Sequence, residues 1–242
     1  MFRRSFFTAL CLIGLTLAGK AGNADFLDRK IRVIGLRGQP MLEAVTQLRR
    51  AGVPVCFEEV EIDHITDRTV DPRSGDVRIR KTTFSISMKD ANVREILNAL
   101  VRSDSEYVWQ ADSRDQLIEI LPGKIASSGV VLKSVLDWQV SFEQGLTGKR
   151  LDIIKDIEDQ IGMKQHNVYL MWRGPWDFYN PVVTLQAQSG SARSVLNQLV
   201  SFEPKLCWTL AGFKGGRILS CVPCGTTWGA PPPTDRGSHP PE

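Results

Sequence analysis

Histidine is nearly missing from this chain: His64, His166 and His239 are the only three in 242 residues. None has another histidine three or four residues away, so a zinc or copper site would need ligands drawn from unrelated segments, and no metal is expected. Other chemistry-bearing signatures are lacking too. No glycine-rich phosphate loop follows a strand, and no serine sits in a Gly-x-Ser-x-Gly turn. Asp152, Asp156, Glu158 and Asp159 belong to the polar side of a helical stretch and form a solvated face. With no catalytic constellation and no cofactor motif, a non-enzymatic protein is expected.

Long apolar runs are equally scarce. One occurs, from Phe6 to Ala18, preceded by Arg3 and Arg4 and followed by small residues ending at Ala24. It is short for a bilayer span and has the plan of a cleaved secretory signal, so residues 1–24 read as a signal peptide. A cut after Ala21 is the alternative. Setting those residues aside removes Arg3, Arg4 and Lys20 and no acidic residue, which leaves 27 basic against 27 acidic residues. A balanced charge gives no bulk attraction to nucleic acid or anionic lipid. The expected location is outside the cytoplasm, in a periplasm or in the extracellular space, with no transmembrane segment in the mature chain.

What the sequence does hold is a repeat. At an offset of 99, Arg94 falls on Arg193, Leu97 on Leu196, Asn98 on Asn197, Leu100 on Leu199, Val101 on Val200 and Trp109 on Trp208. Fixed-period similarity marks a duplicated structural unit. Each copy reads as the same series of elements. In the first, Ile31 to Leu36 is a strand. Pro40 opens a helix carrying Leu42, Val45 and Leu48, Gly52 stops it, and Val53 to Phe57 is a strand. Phe84, Ile86 and Met88 then alternate with polar residues, and Asn92 with Glu95 forms a capping-box pattern ahead of the stripe Val93, Ile96, Leu97 and Leu100. A hairpin from Glu106 to Leu121 closes the unit. The fold class is therefore α+β, with two tandem β-α-β-β-α-β-β units whose helices pack on small mixed sheets. The domains are expected at 25–123 and 138–224, with 124–137 as linker and lead strand, and a disordered Pro-rich tail at 225–242.

The order of elements, with AVTQLRRAGVPVCFEE in the first half of the unit and FSISMKDANVREILNALVRSDSEYVWQADSRDQLIEILPG in the second, resembles the secretin/TonB short N-terminal domain family. The similarity covers residues 31–123 closely and 138–222 more loosely through the repeat. It implies a periplasmic, non-catalytic docking domain that binds an envelope protein: a secretin, a receptor or a secretion-system component. Members of that family precede a pore or barrel, and none follows in this sequence. The resemblance rests on apolar patterning, which specifies fold better than task.

Two connections are enlarged at the same place in the two units. The segment 58–81 is acidic first (Glu58, Glu59, Glu61, Asp63, Asp67) and basic last (Arg73, Arg78, Arg80, Lys81), and reads as a solvated hairpin or loop. The segment 169–179 holds five aromatics, including Trp172, Trp176, Phe178 and Tyr179, around Gly174-Pro175. Aromatic clusters of this kind anchor partners or stack on sugar rings, and they also form satellite cores. Partner capture is expected through an added strand at a sheet edge, with the unshared segments 58–81 and 169–179 giving specificity. The shared residues are assigned to the core. A glycan- or peptidoglycan-binding module using the aromatic segment is the alternative.

Four cysteines remain after residue 24. If the last hairpin turns about Lys214, Cys207 and Cys221 face one another and form the leading disulfide. Other pairings stay open, as does a redox motif at Cys221-Val222-Pro223-Cys224, and Cys56 reads as a free buried thiol. Intact-mass analysis of the exported protein should find a chain starting at Asp25; a chain retaining Met1 would contradict the signal assignment.

Overall fold

The computed structural model describes residues 25–60, 68–70, 77–79, 82–112, 114–123, 134–142, 146–162, 180–186, 189–203, 205–213 and 216–224. Residues 1–24 and the tail beyond 224 lie outside them. The protein is mixed α+β, as its alternating periods require.

A short helical turn α1 (Asp25–Asp28) leads into strand β1 (Lys30–Gln39), which turns Ile31, Ile34 and Leu36 inward. Pro40 is the N-cap of α2 (Met41–Arg50), not its first residue, and Gly52 at φ +76° ends that helix in the left-handed region, where a side chain is disfavoured. Strand β2 (Val55–Glu58) follows, then a small hairpin of β3 (Arg68–Val70) and β4 (Val77–Ile79). Strand β5 (Phe84–Asn92) pairs antiparallel with β1. Helix α3 (Val93–Ser103) begins with the anticipated capping box: Glu95 N donates to Asn92 Oδ1, and Asn92 N donates to Glu95 Oε2, both at 2.8 Å. The hairpin β6 (Tyr107–Asp112) and β7 (Leu117–Pro122) comes next.

The second half starts with a 3₁₀ turn at Val135–Asp137, then β8 (Gln139–Ser141), β9 (Thr147–Lys149) and α4 (Arg150–Gly162). Strands β10 (Val182–Thr184) and β11 (Ser189–Ser191) pair with β9 and β8. Helix α5 (Ala192–Ser201) is capped by the Ser191 hydroxyl and leads to the hairpin β12 (Leu206–Phe213) and β13 (Gly216–Pro223).

The two halves share one sheet. Five strands run in the order β13-β12-β2-β7-β6, and the junction is a parallel pairing of β12 with β2, Thr209 opposite Phe57 and Leu210 opposite Glu58. Strands β2 and β7 are also parallel to each other and buried along their length. Such unbroken burial is what parallel strands covered on both faces require. Phe57, Ile118 and Ile120 join the core of β1, α2 and α3, whereas Cys56, Leu117 and Leu121 join the core of α4 and α5. The first half therefore supplies part of the second half's core.

The expected Cys207–Cys221 disulfide does not form. Cys207 is bonded to Cys224, and Cys221 and Cys56 are free and buried. The cause is register. Phe213 pairs with Gly216, leaving a two-residue connection of the kind hairpins favour, so Cys207 lies opposite Val222 and Cys221 opposite Trp208. A shift of one residue moves a side chain to the other face. Cys224 is two residues beyond Val222, on the face of Cys207. Cys221 lies on the opposite face, where burial pushes its thiol up to about 12, against the pull of Arg150 and Arg49. Burial also raises the pKa of the Cys56 thiol. Both thiols stay protonated, poor nucleophiles at neutral pH. Peptide mapping without reduction should recover Cys207 linked to Cys224, with Cys56 and Cys221 alkylated only after unfolding; a Cys207–Cys221 peptide would contradict the register.

Candidate partner-binding surface

A cluster of charged side chains sits where the halves meet. Glu58, the last residue of β2, is fully buried. Its Oε1 accepts from Arg217 Nη1 at 3.1 Å, and its Oε2 accepts from Arg193 Nη2 at 3.2 Å and from Ser134 Oγ at 2.6 Å. Arg217 also donates through Nη2 to the Glu59 carbonyl at 2.5 Å, and Gly212 N donates to Glu59 Oε2 at 3.0 Å. Glu119 of β7 is buried and accepts from Asn197 Nδ2 at 3.1 Å and from Gln110 Nε2 at 2.5 Å. Burial works against the charge of Arg193, but Glu58, Asp137 and Glu119 outweigh it and raise its pKa. A buried carboxylate is tolerated only when its lone pairs are met in this way.

The same arrangement of residues occurs twice, once inside the seam and once at the surface. In the second half, Arg193 Nη2 donates to Asp137 Oδ1 at 2.9 Å, its guanidinium lies 6.0 Å from the centre of the Trp208 ring, and Trp208 Nε1 donates to Asn197 Oδ1 at 2.8 Å. In the first half, Arg94 pairs with Asp28 at 4.0 Å, and Trp109 Nε1 donates to Asn98 Oδ1 at 3.0 Å. The chain enters α3 and α5 alike: Val93 N donates to the Arg29 carbonyl at 3.1 Å, and Ala192 N to the Trp138 carbonyl at 2.8 Å. The difference is exposure. Trp208 and Asn197 are buried, whereas Asn98 and Arg94 are open to solvent and Trp109 partly so.

The exposed set borders β6, one of the two edge strands of the five-stranded sheet; β13 is the other. Among the described residues, no strand pairs with the outer side of β6. Gly123 N donates to the Glu106 carbonyl at 2.7 Å, so the Glu106/Gly123 pair is a hydrogen-bonded one. By antiparallel alternation the backbone groups of Val108 and Gln110 face β7, and those of Trp109 and Ala111 face outward. Val108 is 49% exposed on this strand.

A cleft is lined by Pro40, Met41, Glu59, Val60, Asp104 and Tyr107, among others. Burial raises the Asp104 carboxyl to about 6, with the Glu106 N–H bond opposing and the Glu106 charge assisting.

Of the residues singled out from sequence, Trp172, Trp176, Phe178, Tyr179, Arg73, Arg80 and Lys81 lie outside the described residues. Arg78 is in β4, paired with Thr69 of β3. Glu58 and Glu59 do not belong to a solvated loop; Glu58 closes β2, Glu59 follows it, and both are buried in the seam. The seam side chains Glu119, Arg217 and Asn197 carried little signal beyond the isolated charge in the apolar run Leu117 to Leu121 and the Asn98/Asn197 identity. Among the described residues, no group of three or more histidine, cysteine or acidic side chains is placed to hold a metal, and no helix is long and apolar enough to cross a membrane.

No family model, curated protein or solved structure matches this chain.

Replacing Glu58 with alanine removes the buried carboxylate that Arg193 and Arg217 share, and should cost about 3–5 kcal/mol in urea unfolding. A loss under about 0.5 kcal/mol would mean that the cluster does not hold the halves together. Asp104 acts in the other direction. Its folded pKa lies above the unfolded 3.8, so stability falls as pH rises through the window from about 4 to 6. Asp104→Asn should remove that dependence and raise stability at pH 7 by about 1–2 kcal/mol, read from pH-dependent denaturation midpoints.

Proposed function

We propose that this protein is an exported, non-catalytic docking module of the cell envelope. Its partner would be another envelope protein, such as a secretin, a receptor or a secretion-system component, as the resemblance to short N-terminal domains implies. The observation that carries the reading is the open edge of β6, beside a ring, an amide and a guanidinium at the surface. An unpaired strand edge is a template for an added strand. The Cys207–Cys224 disulfide supports an oxidising compartment, in keeping with the signal-like residues 1–24. The buried, protonated state of Cys221 weighs against the thiol-exchange alternative. Two tandem repeats on one sheet would present two such units as a single body. The segments 61–81 and 169–179 are assigned to partner choice, and the stacking of sugar rings on Trp172, Trp176 and Tyr179 remains the second reading for the aromatic one.

Affinity capture from envelope extract tests the proposal. Deletion of 61–81, which spares Glu58 to Val60, combined with Trp172→Ala and Trp176→Ala, should remove the partners held by the native protein. Capture unchanged by those variants and by Ala111→Pro would overturn the docking role. Binding of cell-wall fragments that is lost with the tryptophans would instead favour the glycan reading.

A further inference from the structure

The arrangement at the seam between the halves has a counterpart beside β6, whose outer side pairs with no strand among the described residues. At an offset of 99, Arg193, Asn197, Trp208 and Leu210 correspond to Arg94, Asn98, Trp109 and Ala111. At an offset of 109, Asp137 corresponds to Asp28. The correspondence extends to the backbone. Cys224 N donates to the Lys205 carbonyl as Gly123 N does to the Glu106 carbonyl, so Trp208 and Leu210 turn their backbone groups away from β13 just as Trp109 and Ala111 turn theirs away from β7.

In the second half those outward groups are used. The Leu210 carbonyl accepts from Glu59 N at 2.8 Å, and the Trp208 carbonyl accepts from Arg49 Nη2 at 2.8 Å. The occupant is β2, lying parallel to β12 with Glu58 directly opposite Leu210. The side chain of Glu58 falls on the face of α5 and meets Arg193, which is already oriented by Asp137 and by the Trp208 ring. The recognised element is thus an extended apolar segment ending in a carboxylate, Val55-Cys56-Phe57-Glu58.

We infer that the outer edge of β6 binds an extended segment of a partner protein in the same way: parallel to β6, apolar along its length, with a glutamate or aspartate opposite Ala111 that reaches Arg94. This rests on the docking role proposed above and specifies its ligand. Arg94 stands at the second position of α3 as Arg193 does in α5, where the helix N-terminus also favours an incoming carboxylate. The Asp28–Arg94 contact is 4.0 Å, against 2.9 Å for Asp137–Arg193, and the Arg94 side chain is exposed. Trp109 and Asn98 keep the hydrogen bond that positions the ring, so the site is preorganised for its ligand.

The probe is a synthetic peptide with the sequence of residues 53–60 carrying Cys56→Ser, titrated into the full chain. Binding is read from the amide resonances of Ala111 and the indole N–H resonance of Trp109. Saturable shifts confined to β6 and the start of α3 are expected. Ala111→Pro removes an outward donor without breaking the β6–β7 ladder, and should weaken binding at least tenfold while leaving the spectrum folded. Arg94→Glu should do the same and should regain affinity for a peptide carrying Glu58→Arg. No binding by the native peptide, or equal binding by both variants, would overturn the inference. So would concentration-dependent self-association abolished by Ala111→Pro, since the edge would then belong to a second copy of the chain. If Ala111→Pro and Arg94→Glu leave envelope capture intact while deletion of 61–81 removes it, the docking role stands and this ligand assignment fails.

Discussion

The carboxylate of Glu58 constrains the whole architecture. A charge taken out of water must be met by opposite charge and by donors, and the described side-chain donors to Glu58 all come from beyond the first half. Arg193 comes from α5, Arg217 from β13 and Ser134 from the turn before the second half. Those groups reach Glu58 only when β12 lies against β2. The electrostatic requirement and the sheet order are therefore one condition, and the core obeys it too, with Cys56, Leu117 and Leu121 packed under α4 and α5.

Two local devices keep this arrangement in register. The Trp–Asn hydrogen bond ties each second helix to the strand that follows it, and the Asp–Arg pair ties the helix start to the segment leading into each half. Both devices appear twice, but only the second copy is enclosed. Residues identical in sequence thereby acquire different environments: Trp208 is core, whereas Trp109 borders an open edge. The identity of a repeat position thus says which interaction forms locally, and the neighbour across the sheet decides whether that interaction is structural or available.

Most elements were legible from periodicity and capping. The alternation in β5, the capping box of α3 and the stripe of α5 are local properties, set within a few residues. The seam was not legible, because a parallel pairing between residues about 150 positions apart leaves no local pattern. Glu58 looked like the first charge of a solvated excursion, since only the presence of Arg193 and Arg217 makes its burial tolerable. The expected disulfide differs from the observed one by one residue of register, enough to move Cys221 to the other face. The identities Arg94/Arg193, Asn98/Asn197 and Trp109/Trp208 are visible in the sequence and point to the core, whereas the structure gives Arg193, Asn197 and Trp208 a polar role at the junction and leaves Arg94 and Asn98 exposed.

The halves form one sheet clasped at Glu58. Site-resolved amide hydrogen exchange in increasing denaturant tests it most directly. The amides of β12 and β13 should lose protection in the same step as those of β2 and β7. Opening of β12 and β13 at lower denaturant, with β2 and β7 still protected, would contradict it.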